Sequence, residues 1–283
     1  MPYPSPRHAL LLTFLFVVAQ VALASFGPAY SERFVLVGTE LVLIVLLAVF
    51  LGWSRFPAED VLLFNATGLR AFLASLLAAI GAALLAAELD LHFSELFSQL
   101  HSTVPPGNQR YVIGIQLVSN LGEALAVFAT VILVPAVCEE IFFRGFVFTA
   151  LAVRYGAAAA IVGSAFLFAA VHFNPWQFPA LFLLGVFLGV LVYMTHSIYP
   201  AIVAHMVTNG LSVVGVNLRA QTGQDVLAAA EHLPLVMLLG AFVLLWTGWR
   251  IAHRQRPVMP LVRTPATERV LVHPVADAEG FLK

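Results

Sequence analysis

Apolar runs long enough to cross a bilayer alternate with short breaks along most of the chain. About 20 apolar residues span the hydrocarbon core as a helix, and lipid offers backbone N–H and C=O groups no outside partner. On that template the pattern predicts eight segments, at about 9–29, 34–53, 69–88, 112–135 running on into 136–153, 157–173, 178–195, 199–217 and 233–252. Gly27-Pro28, Pro57, Pro105-Pro106-Gly107, Gly156, Asn174-Pro175, Pro200 and Pro234 punctuate them. The stretch 112–153 is too long for one straight span at about 1.5 Å per residue. Pro135 predicts a kink just ahead of a pair of glutamates. The first run follows one early charge, Arg7, and could pass for a leader. Its length, and the many comparable runs after it, mark it as the first span. Residues 92–110 mix Glu95, Gln99, His101 and Asn108, and predict an external loop with a short amphipathic helix. The expected architecture is all-α: one membrane bundle over residues 1–256 with about eight transmembrane helices, then a polar, flexible tail at 257–283.

Composition makes the membrane assignment firm. Hydrophobic residues are 61% of the chain, charged residues 10%, and mean hydropathy is +0.94. Soluble domains carry about 25% charged residues, enough to cover their surface. Here the lipid bilayer must be the main solvent. A net charge of −1 excludes a nucleic-acid partner, which needs a concentrated basic face. A lone cysteine, Cys138, excludes an internal disulfide. Seven arginines (Arg7, Arg55, Arg70, Arg154, Arg250, Arg254, Arg256) fall in one alternate set of connections, and only Arg33, Arg110 and Arg219 in the other. That bias predicts both termini in the cytoplasm. Arginine-rich, lysine-poor usage points to a bacterial inner membrane.

Ionisable side chains at membrane depth are costly and mark candidate sites. Glu140 and Arg144 are i, i+4, so one helix face can pair them. Glu139 points about 100° away and has no partner in its own turn. Such a carboxylate suits taking and returning a proton, or it completes a structural polar network. His172 tips that balance. Glu139 lies 17 residues before Gly156 and His172 lies 16 after it, so a hairpin turning there brings them level. His205 and Asn209, again i, i+4, stack an imidazole on a carboxamide. Paired donors of this kind suit an oxyanion, although interhelical hydrogen bonding explains the same pair. Glu40, Glu123 and His196 read as interfacial or network residues. Cys138 has no basic neighbour in its turn and is discounted as a nucleophile.

Glu139-Glu140-Ile-Phe-Phe-Arg144 fits E-E-x-x-x-R, Phe168-Ala-Ala-Val-His172 fits F-x-x-x-H, and His205-Met-Val-Thr-Asn209 fits H-x-x-x-N. In that order, on successive apolar segments, the three motifs resemble the CPBP family of intramembrane glutamic endopeptidases, which includes the CAAX prenyl endopeptidases and Abi-like proteins. The resemblance covers about residues 112–217. It implies a catalytic Glu139 assisted by His172, an oxyanion hole of His205 and Asn209, and a structural pair of Glu140 and Arg144. Phe168 would support the motif. It also implies a conical membrane cavity open to the cytosol, no metal or other cofactor, and a membrane-associated, lipidated or leader-peptide substrate. Two alternatives stay open: a zinc metalloprotease, for which no H-E-x-x-H occurs, and a proton-coupled transporter or scaffold, for which no repeat symmetry is visible.

Overall fold

A computed structural model describes residues 3–25, 31–54, 56–100, 106–224 and 232–254, with backbone alone for 106–109. The expected tail at 257–283 lies outside them. The described residues are helical, without strands. In chain order they form α1 (Pro6–Ser25), α2 (Glu32–Ser54), α3 (Ala58–Leu62), α4 (Leu69–Gln99), α5 (Pro106–Gly114), α6 (Leu121–Tyr155), α7 (Ala157–Ala170), α8 (Phe178–Thr195), α9 (Tyr199–Gln221) and α10 (Leu235–Arg254). Among the described residues seven helices are long and apolar enough to cross a membrane: all but α3, α5 and α7. The protein is a multi-pass membrane bundle.

Helices α6 to α9 form the middle, with α1 and α2 packed on α6, and α4 and α10 on the α8 and α9 side. Helices α4 and α10 approach backbone to backbone: a Cβ at Gly81 would strike Ala241 and one at Gly248 would strike Ala74. Small residues are what permit such contact between helices in lipid. Leu10, Phe14, Leu41, Val45, Phe242 and Trp246 point outward from the bundle, where hydrocarbon solvates them.

Four boundaries differ from the sequence pattern. Helix α6 begins at Leu121, not near Val112, because residues 115–120 break from helix. Asn120 Oδ1 accepts the Glu123 N–H at 3.0 Å, and Glu123 Oε2 accepts the Ser119 N–H at 2.7 Å. This is a reciprocal cap, so Glu123 is a helix-start residue. Helix α4 runs on to Gln99, so Glu95 and Gln99 are helical and not part of a loop. Helix α7 has only 14 residues, roughly 21 Å long, and stops short of a full crossing. That shortness leaves His172, two residues beyond its end, at bundle depth. Finally, Thr195, His196, Ser197 and Ile198 are all buried. The connection before Pro200 dips into the protein, held by Ile198 N–H to Leu63 O at 3.2 Å and Asn65 Nδ2 to His196 O at 2.7 Å.

Within α6 the backbone is wound as π-helix at Phe128–Leu133 and at Glu140–Val147. The first π segment lies just before Pro135. Proline lacks an N–H and crowds the carbonyl four residues earlier, which is Val131. The wider turn accommodates the ring, and the helix Leu121–Tyr155 continues through it.

Candidate active site

Gly156, at φ +84°, turns α6 into α7, a conformation that favours glycine. Across that hairpin His172 Nε2 comes to 3.9 Å from Glu139 Oε1. His172 Nδ1 lies 2.7 Å from the Phe168 carbonyl, which only accepts. Nδ1 therefore carries the hydrogen, and the neutral ring turns the lone pair of Nε2 toward Glu139. Two acceptors face each other at a separation that a bridging water satisfies by donating to both.

Glu140 and Arg144 are fully buried and bonded at 2.8 Å, Nη1 to Oε1. Arg144 Nη2 also donates to Gly185 O at 3.1 Å. A Cβ at Gly185 would press on Ala165 at 2.9 Å and on that same Nη2 at 3.2 Å, so glycine lets α8 close over the guanidinium. Phe168 lies beneath it, its ring centre 4.3 Å from Arg144 Cζ. The His172 and His205 rings stand steeply inclined to the same phenyl, with ring centres 4.9 and 5.8 Å away. One buried phenyl thus seats the cation and both histidines.

His205 joins the ion pair instead of standing apart with Asn209. Its Nδ1 donates to Glu140 Oε1 at 3.0 Å, and its Nε2 lies 3.8 Å from Glu139 Oε2. Asn209 Nδ2 donates to the Val131 carbonyl at 3.2 Å. That is the carbonyl which Pro135 deprives of its helical N–H, so a proline on one helix creates the acceptor that an asparagine on another takes. Glu139, Glu140, Arg144, His172 and His205 converge; Asn209 is tied to the neighbouring π turn.

A cavity of about 420 Å³ reaches Glu139 and His172, with Phe16, Gln20, Tyr111 and Glu40 among its walls. His205 and Asn209 do not line it. The walls come from the second half of α1, the first half of α2, α5 and residues 171–177. That end of the bundle is opposite the one carrying Pro6 and Arg254.

Glu40, which the sequence marks as an interfacial or network residue, stands at the same cavity. It is 4% exposed, its carboxyl near enough to interact with that of Glu139. Its placement depends on α2 crossing α6, which spacing within one helix cannot show. Cys138 is a buried free thiol. His196, expected as an interfacial or network residue, is buried in the dipped connection, its carbonyl accepting from Asn65.

For metal binding, the described residues offer one group of three with ligand atoms within 4.8 Å of one another: Glu88, His92 and His232. It lies where the end of α4 meets the start of α10, away from Glu139. The two histidines near Glu139 approach different oxygens of it.

Residues 121–211 match the family model described as type II CAAX prenyl endopeptidase, Rce1-like. No curated protein and no solved structure matches the chain. The matched segment is about a third of the chain, opens on the first residue of α6, and contains all three motifs from Glu139 to Asn209. Over that segment the chain is similar to the Rce1-like family of CAAX-type membrane peptidases.

Proposed function

We propose that the chain hydrolyses a peptide bond without a metal, using a water held between Glu139 and His172. The observation that carries this reading is the 3.9 Å gap between Glu139 Oε1 and the lone-pair nitrogen of His172, at the wall of the cavity. The water gives one proton to Glu139 as its oxygen bonds to the scissile carbonyl carbon, with its other hydrogen held by His172. As the C–N bond breaks, Glu139 returns the proton to the departing amine. The charge that develops on the carbonyl oxygen needs donors aimed at it. His205 supplies one from Nε2 as the imidazolium. That form balances the charge of Glu139, Glu140 and Arg144, which sum to one negative. Asn209 supplies the other from the amide hydrogen not given to Val131.

The substrate is a membrane-associated or lipidated peptide of CAAX type, or a leader peptide, threaded into the cavity from the bilayer. The protein resides in a bacterial inner membrane. In the test, purified wild type and Glu139→Gln are offered a farnesylated CAAX peptide. Glu139→Gln is expected to lose cleavage by at least about 10²-fold while keeping its thermal stability. Cleavage by Glu139→Gln at the wild-type rate would remove Glu139 from the mechanism.

A further inference from the structure

The third carboxyl at the site comes from outside the family-matched segment. Glu40 sits within the α2 span, 4% exposed, with its Oε2 lacking any hydrogen-bond partner. It shares the cavity wall with Glu139 and His172, and its carboxyl lies close to that of Glu139. We propose that Glu40 and Glu139 hold a single proton between them, with Glu40 the protonated member. On this view Glu40 is the positioning residue that aims the Glu139 carboxylate at the water. The inference rests on the reading of Glu139 as the base.

Two carboxylates close together and out of water cannot both be charged, so the pair keeps a proton. Which member holds it follows from what else faces each. Glu139 has His205 Nε2 3.8 Å from its Oε2, and the Arg144 guanidinium beyond it on the same helix. Among the described residues no cation is placed against the Glu40 carboxyl. The ionisable groups on its side are Tyr111 of α5 and Cys138 of α6, with Glu32 of its own helix beyond Tyr111. Negative charge is therefore better placed on Glu139, and the proton on Glu40. A protonated Glu40 donates to one lone pair of Glu139. This fixes the rotamer of the base and leaves the rest of its carboxylate for the water and for His172.

The protein at full length, in phosphatidylcholine nanodiscs, allows a direct test by infrared difference spectroscopy at neutral pH. Wild type minus Glu40→Gln is expected to show the carbonyl stretch of a protonated carboxylic acid. Glu139→Gln is expected to keep that band at a shifted frequency, because the proton's acceptor changes from carboxylate to amide. Absence of a difference band for Glu40→Gln overturns the proposal, even if Glu139→Gln abolishes cleavage. An unshifted band in Glu139→Gln overturns it as well, should Glu40→Gln fail to fold. A band that behaves as expected alongside full cleavage by Glu139→Gln leaves the pair standing and removes only the base assignment.

Discussion

Two clusters of glutamate and histidine stand in this molecule, and they are built from the same chemistry. In one, Glu88, Glu95, His92 and His232 meet where α4 and α10 converge, with the His92 and His232 side chains 60% and 42% exposed. In the other, Glu139, Glu140, His172 and His205 meet under α8, with Glu140 and Arg144 fully buried. The exposed cluster satisfies itself: His232 donates to Glu88 at 2.7 Å and to Glu95 at 3.0 Å. The buried one does not. Among the described residues its Glu139 Oε2 has no hydrogen-bond partner; His205 stops 3.8 Å from that oxygen and His172 3.9 Å from Oε1. A clasp uses every donor on its neighbours, whereas a site holds some back for a molecule that is not part of the fold.

The largest expected effect falls on the buried cluster. Beyond Glu139→Gln, removing Arg144 leaves Glu140 buried against His205 alone. Arg144→Leu is expected to cost about 3–5 kcal/mol, the usual penalty for breaking a buried pair. Thermal unfolding in detergent would read it, and the double variant Glu140→Leu with Arg144→Leu should recover much of the loss. Wild-type stability in Arg144→Leu would mean that water reaches Glu140.

Asn209→Ala separates a chemical role from a structural one. An oxyanion donor is worth roughly 10²–10³ in rate, while the bond to Val131 is worth only about 1 kcal/mol of stability. Cleavage rates measured beside melting curves decide between them. A rate within a few-fold of wild type would leave Asn209 as the cap on the carbonyl freed by Pro135.

The smallest effect belongs to the exposed clasp. Hydrogen bonds from His232 to Glu88 and then Glu95 hold its imidazole above the ordinary histidine range. A group raised on folding contributes stability that is fully present below its unfolded value and is lost as pH rises through the folded one. The difference in melting temperature between wild type and His232→Gln should therefore vanish at alkaline pH. Cleavage should be unaffected. A difference that instead grew with pH would contradict the clasp.

Part of the candidate site was legible because Glu140 and Arg144 sit at i, i+4 on one helix, where spacing alone pairs them. Phe168 beside His172 was legible only through the F-x-x-x-H motif, and the expected pairing of His205 with Asn209 gives way to bonds with Glu140 and Val131. The height match of Glu139 and His172 was legible because Gly156 marks the turn between them. Three features were not. The approach of Glu40 to Glu139 requires a crossing of two helices far apart in sequence. The link from Pro135 through Val131 to Asn209 requires knowing that α6 widens into a π turn instead of breaking. The start of α6 was written in the Asn120–Glu123 cap, a pattern hidden inside an apolar stretch that hydropathy alone carries straight through.

The central claim is that Glu139 is the base of a peptidase inside the membrane. Its most direct test compares the membrane peptidomes of cells carrying the wild type and Glu139→Gln at equal protein levels. At least one cleavage product present with the wild type is expected to be missing with the variant, its uncut precursor accumulating in the membrane. Identical peptidomes, with the variant folded and correctly inserted, would contradict it.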